Sequence, residues 1–311
     1  MPVFDLHCDT LTAFMSPLRC RDTLDDPCSA FALSKVQTIP WCQCCAVFVP
    51  DGLTPQEALG YYRHHRDSFR RQCEQHAQEA SACTTAEEIC SAWEQKKTAL
   101  VLTVENGSLL GAGLEYVEEL RRDGVRMVTL TWNGENALGS GHETDHGLTP
   151  LGKEAARALE EAGIVVDVSH LNDAGFRDVL DVTQKPFAAS HSNARAICAH
   201  RRNLEDGQIR EMVMRNCIIG LNYYSPFLRS DGNEATFDDL YRHICHFLEL
   251  GAENCLALGS DFGGADLPPC LDDCRKVPAL EEYLLDRGLG RSLVEKIFWQ
   301  NALDFAQKNW Q

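Results

Sequence analysis

The sequence predicts a closed (β/α)8 barrel of the TIM type, an α/β fold formed as a single domain over residues 1–311. Three observations carry that expectation. Short apolar runs alternate with longer amphipathic ones along the chain, as strands and helices do in a parallel sheet with right-handed crossovers. Eight of the short runs read as strands, the number that closes this barrel. No Gly-rich phosphate turn follows the first run, where an open doubly wound sheet usually carries one.

The first strand is expected over residues 3–7, in Val3-Phe4-Asp5-Leu6-His7. The others are expected over 42–49, 99–104, 125–131, 164–168, 187–190, 217–221 and 255–259, each a short apolar run. Helical periodicity fills most of the gaps, over 55–80, 113–122, 150–162, 173–182, 237–250 and 291–308. Thr54-Pro55 and Thr149-Pro150 read as an N-cap followed by proline in the first turn, where its missing N–H costs nothing. Gly163 and Gly251 stand where helices should stop. No internal repeat, low-complexity tract or flexible linker divides the chain.

The net charge is −17, and 44% of the residues are hydrophobic. Surplus acid argues against nucleic acid and anionic membranes as partners, since both attract basic surfaces. No run approaches 18 apolar residues, so no membrane-spanning helix is expected. The N-terminus does not read as a signal peptide. Fifteen cysteines are expected mainly as buried thiols in a reducing compartment. Cys42, Cys44 and Cys45 lie in an apolar run without paired C-x-x-C spacing, which favours core packing over a metal site.

The chemistry sits at strand ends. His7 and Asp9 close the first strand, and alternation puts both on one face. Glu105 follows the third strand. His170 and His191 close the fifth and sixth, and Asp261 follows the eighth. In a barrel all six converge at the carboxyl-terminal mouth, where active sites of this fold lie. Three imidazoles and three carboxylates exceed the needs of one catalytic zinc. They suit two ions bridged by a carboxylate, with Glu105 as the candidate bridge. A water shared by two Zn²⁺ ions would be largely hydroxide near neutral pH, a hydrolytic nucleophile.

Several motifs, taken in order, resemble the membrane (renal) dipeptidase family of zinc dipeptidases. They are Asp5-Leu6-His7-Cys8-Asp9-Thr10, Val104-Glu105-Asn106-Gly107, Gly147-Leu148-Thr149-Pro150-Leu151-Gly152, Val166-Asp167-Val168-Ser169-His170, Ser190-His191-Ser192-Asn193-Ala194, Arg201-Arg202-Asn203 and Gly259-Ser260-Asp261-Phe262-Gly263. The resemblance implies two Zn²⁺ ions per chain, one held by His7, Asp9 and Glu105, the other by Glu105, His170 and His191. It implies that Arg202 binds the carboxylate of a dipeptide, with Arg201 as the neighbouring alternative. Asp261 would sit beside the bridging water and carry a proton to the leaving nitrogen. A homodimer is also implied.

One departure concerns the end of the fourth strand. Many animal members have Leu-Thr-His there, with the His on the substrate. Here Leu130-Thr131-Trp132-Asn133 puts Trp132 in its place. Trp132 can donate one hydrogen bond but carries no charge. Asn133, His142 and His146 are candidates for the missing contact, and Tyr223 and Tyr224 for the pocket wall. Animal relatives are secreted and lipid-anchored; without either signal, a cytoplasmic bacterial-type enzyme is expected. The alternative is a binuclear amidohydrolase acting on cyclic amides or N-acyl amino acids. Such enzymes usually open with His-x-His and often use a Lys bridge, where this chain has Asp9 and Glu105. A binding protein with a relict metal shell is the non-enzymatic reading.

Overall fold

A computed structural model of the chain describes residues 1–12 and 23–310. Among these residues nine parallel strands form one sheet: β1 (Val3–Cys8), β2 (Trp41–Phe48), β3 (Ala80–Ala82), β4 (Thr98–Glu105), β5 (Met127–Thr129), β6 (Val165–Asp167), β7 (Ala188–Ala189), β8 (Ile218–Leu221) and β9 (Leu256–Leu258). β1 pairs with both β2 and β9, and β2 pairs with β4 from Cys42 to Phe48, so eight strands close a barrel. β3 stands outside the ring. It pairs with the start of β4 at Thr98–Leu100, while β5 pairs further along.

All eight expected barrel strands are present, several of them shorter than the apolar runs that announce them. β3 was not expected. The helix assigned to 55–80 ends at Gln75, and the chain turns into β3 five residues later. The helices Ala86–Glu94, Asp206–Met214 and Val277–Asp286 were also not anticipated. Each has three turns or fewer, too few to register a clear period. The helix expected over 291–308 is continuous but carries a π turn at Lys296–Gln300 between Arg291–Glu295 and Asn301–Asn309.

The caps behave as their residues require. Thr54 and Glu57 form a reciprocal capping box, and Thr149 Oγ1 accepts the Gly152 N–H at 3.0 Å. Gly163 and Gly251 take left-handed backbone just past their helices, with φ of 74° and 85°.

Alternate strand residues divide the core. Phe4, Cys42, Cys44, Ala99, Val101, Val165 and Ala188 fill the lower barrel with Phe305 and Trp310 of the C-terminal segment beneath them. Cys45, Val47, Leu100, Leu102 and Val104 face outward to the helical layer. The three clustered cysteines are therefore core residues. Among the described residues every cysteine is a free thiol, and Cys20 lies outside them. Among the described residues no helix is long and apolar enough to cross a membrane.

Candidate active site

The carboxyl ends of β1, β4, β6, β7 and β9 bring the nominated residues to one rim. Glu105 ends β4 in phase with the interior residues Ala99 and Val101. β1 has a register irregularity between Asp5 and Cys8. Bulges of this kind re-aim a side chain: Phe4 and Leu6 pack in the interior cluster, and His7, next in line, faces Glu105. His170 and Asp261 adopt left-handed backbone, with φ of 73° and 67°. That conformation costs a non-glycine residue about 1 kcal/mol or more, and here it turns both side chains across the strand ends.

Glu105 divides its oxygens. Oε2 lies 3.5 Å from His7 Nε2, while Oε1 lies 2.7 Å from His170 Nε2 and 3.9 Å from His191 Nε2. His7 Nε2 also lies 3.2 Å from Asp9 Oδ2 and 3.8 Å from Asp261 Oδ1. Among the described residues two groups of ligand atoms each gather within 4.8 Å, one from His7, Glu105 and His191, the other from His7, Asp9 and Asp261. Close approach depends on Gly264. A β-carbon there would fall 2.2 Å from Asp9 Oδ2 and 2.4 Å from Asp261 Oδ1.

These donors fit divalent cations. His170 Nδ1 lies 2.8 Å from Asn133 Oδ1, an atom that only accepts, so Nδ1 carries the proton. The Nε2 lone pair then points at a carboxylate oxygen 2.7 Å away, an arrangement that calls for positive charge between them. Asp9 Oδ1 is buried with no hydrogen-bond partner among the described residues. Imidazole nitrogens and carboxylate oxygens so placed are the ligand set of zinc and its neighbours.

The electrostatics of the bare protein point the same way. Burial, reinforced by Asp9, pushes the Glu105 carboxyl up to about 8. Burial also raises Asp261, to about 6. At His7 burial works downward, but the Asp9 and Glu105 carboxylates overcome it and hold the imidazole well above its usual range. His170 and His191 fall well below theirs, through burial first and then Arg202 and His7 respectively. The neutral imidazoles of His170 and His191, beside carboxylates crowded enough to hold a proton on His7, are prepared to ligate a cation.

A cavity of about 280 Å³ opens above this floor. Phe48, Trp132, Tyr224 and Phe227 wall it, with Trp132 edge-on to Phe48 at 4.9 Å. Tyr223 does not reach it; its ring is fully buried against Phe262. Asn133 lines the cavity, but its carbonyl oxygen is held by His170. His142 lines the cavity too, with its Nδ1 buried and without a partner among the described residues. His146 is exposed, and its backbone carbonyl accepts from Asn172. The two neighbouring arginines separate cleanly. Arg201 is exposed and pairs with Asp145. Arg202 is 4% exposed, stacks over Phe227 at 5.3 Å and keeps a buried Nε without a partner among the described residues. Burial lowers it only to about 10, so it stays cationic.

Sequence reasoning missed the residues that hold these groups. Asn222 Nδ2 donates to Asp261 Oδ2 at 3.0 Å, and Asn222 is itself fixed by Asn193. Asp5 Oδ1 accepts the N–H of Ser260 at 2.9 Å and of His7 at 3.3 Å, tying the ends of β1 and β9. Asp167 does the same for β6 and β7. The signal for both was an aspartate inside an apolar strand, a buried charge that must find donors.

A family model described as "Membrane dipeptidase (Peptidase family M19)" matches residues 1–308. An uncharacterized protein in the pqqA 5′ region of Klebsiella pneumoniae is 32% identical over 241 residues, 74% of this chain and 89% of that protein. The crystal structure of dipeptidase AC, a metallopeptidase of family M19, is similar to this chain at 25% identity and a TM-score of 0.93, covering 100% of this chain and 99% of its own. A metallopeptidase from Rhodobacter sphaeroides, liganded with a phosphinate mimic of the dipeptide L-Ala-D-Ala, shares the fold. Its TM-score is also 0.93 at 24% identity, over 100% of this chain and 99% of that one.

Proposed function

The chain belongs to the membrane dipeptidase family, a family of metallopeptidases, and from that premise we propose that it hydrolyses the peptide bond of free dipeptides with two zinc ions. The observation that carries this reading is the division of Glu105 between His7 on one side and His170 with His191 on the other. One ion would be held by His7, Asp9 and Glu105, the second by Glu105, His170 and His191. Bound zinc would supply Lewis acidity at the scissile carbonyl and a more acidic water.

The protein's own groups do the rest. Arg202, buried and cationic, offers a two-pronged fork to the substrate carboxylate. Asp261 has Oδ2 occupied by Asn222, leaving Oδ1 to take a proton and return it to the departing amine. The aromatic wall shields the reacting bond from bulk water. His142, which lines the cavity, rather than the exposed His146, would supply the substrate contact that Trp132 cannot carry as a charge. Tyr224, Trp132 and Asn133 complete the substrate contacts. Residues 1–311 act as one catalytic unit in this reading, in a cytoplasmic homodimer.

Metal analysis of the purified protein, combined with a stereochemically complete dipeptide panel, tests the proposal. Turnover of dipeptides with about two zinc ions per chain is expected. Turnover confined to N-acyl amino acids or hydantoins would move the protein to the amidohydrolase class, and no turnover with zinc bound would leave a binder.

A further inference from the structure

We propose that Asp167, acting through Ser190, sets the tautomer of His191 and thereby decides whether that imidazole can ligate a cation. The inference rests on reading the site as a metal centre. Asp167 is the last residue of β6 and has no exposed surface. Its Oδ1 accepts the N–H of Ser169 at 3.0 Å and of Ser190 at 2.9 Å. Its Oδ2 accepts from Thr129 Oγ1 at 2.7 Å and from Ser190 Oγ. Four donors converge on two oxygens, so the carboxylate acts only as an acceptor.

Ser190 has one hydroxyl proton, and Asp167 takes it. What Ser190 Oγ turns toward His191 Nδ1, 2.7 Å away, is a lone pair. His191 must therefore donate from Nδ1. Its Nε2 is left bare and directed at the cluster, 2.9 Å from His170 Nε2. Ser169 Oγ lies 3.3 Å from Ser190 Oγ and accepts the His191 N–H at 3.1 Å; it can donate to Ser190 but cannot replace its proton. Neither Asp167 nor Ser190 lines the substrate cavity, so both are positioning residues.

Asp167→Asn inverts this chain of donors while keeping size and shape. Two rigid backbone N–H groups require an oxygen at the Oδ1 position. The new NH₂ therefore falls at the Oδ2 position, facing two hydroxyls that can rotate. Ser190 Oγ becomes an acceptor there and turns its proton to His191 Nδ1. The imidazole proton moves to Nε2, which faces the cluster and no longer ligates. Outer hydrogen-bond partners of ligating histidines typically contribute about 10- to 100-fold in metal affinity.

The test is a zinc titration by calorimetry, with metal counting, on wild type, Asp167→Asn, Ser190→Ala and the double variant. Asp167→Asn should lose about 10- to 100-fold in affinity for one of the two ions. Ser190→Ala should lose less, since it leaves the tautomer free. In the double variant the effect of Asp167→Asn should vanish, because the hydroxyl that transmits it is gone. In ¹⁵N NMR of the zinc-free proteins, His191 should carry its proton on Nδ1 in wild type and on Nε2 in Asp167→Asn. Unchanged affinity in Asp167→Asn, or an equal loss with and without the Ser190 hydroxyl, overturns the relay and leaves the metal centre standing. Wild type that binds no zinc overturns the metal reading itself. An Nε2–H tautomer in wild type refutes the relay even if Asp167→Asn does not fold.

Discussion

His243 reads the packing behind the site without entering it. It lies on the helix Phe237–Glu249 with no exposed surface. Its Nδ1 accepts the Ala194 N–H at 3.1 Å, three residues past His191, and its Nε2 lies 3.1 Å from the Leu228 carbonyl. The ring is therefore neutral with its proton on Nε2. A second proton would have to sit on Nδ1, against an N–H. Burial accordingly lowers the imidazole from 6.5 to about 4. The sign follows. A folded-state value below the unfolded one means that the unfolded chain binds more protons between the two. Stability is complete above pH 6.5, falls as pH drops toward about 4, and then levels off. At about 1.4 kcal/mol per pH unit across that window, the loss approaches about 3 kcal/mol.

The comparison variant is His243→Gln. Its amide can accept from Ala194 and donate to Leu228 but does not titrate. Urea unfolding of both proteins, followed from about pH 7.5 to about pH 4, isolates the term because other acid-sensitive groups are common to both. Wild type should lose about 3 kcal/mol more than the variant over that range. Parallel stability profiles would refute the assigned tautomer and the burial argument with it.

Two further outcomes concern the site. Arg202→Lys should raise KM by about 100-fold with a smaller change in kcat, since a point charge cannot reproduce the two-pronged contact worth about 2–3 kcal/mol; unchanged KM would remove Arg202 as the carboxylate partner. His142→Ala should lower kcat by about tenfold or more, and His146→Ala should leave it unchanged. The reverse order would shift the substrate contact to the outer loop.

The barrel was legible because its strands are apolar runs separated by capped helices, and both signals are local. β3 was not, since Ala80-Ser81-Ala82 is too short to establish a strand period and is a strand only because β4 offers its edge there. The π turn at Lys296–Gln300 left no mark either, because one inserted residue barely disturbs a helical pattern. The ligand candidates were legible for a different reason. Each is an ionisable residue that ends an apolar run, and parallel topology sends all such ends to one rim.

What the sequence concealed is the layer that orients those candidates. Ser190 and Asn222 look like turn residues, and their partners lie 23 and 39 positions away, at Asp167 and Asp261. No local pattern encodes such pairs. Two residues nevertheless broke a rule that sequence can read. Asp5 in Val3-Phe4-Asp5-Leu6 and Asp167 in Val165-Val166-Asp167-Val168 each put a carboxylate inside a strand with apolar neighbours. Burying a carboxylate without donors costs several kcal/mol, so its presence there demands N–H or O–H groups from an adjoining strand end. Both found them in the same form, a backbone N–H of the next strand, at Ser260 and Ser190. Those two serines immediately precede Asp261 and His191. In this chain an aspartate within an apolar barrel strand thus marks which neighbouring strand end is clamped, and the residue after each clamp is one of the candidate site residues.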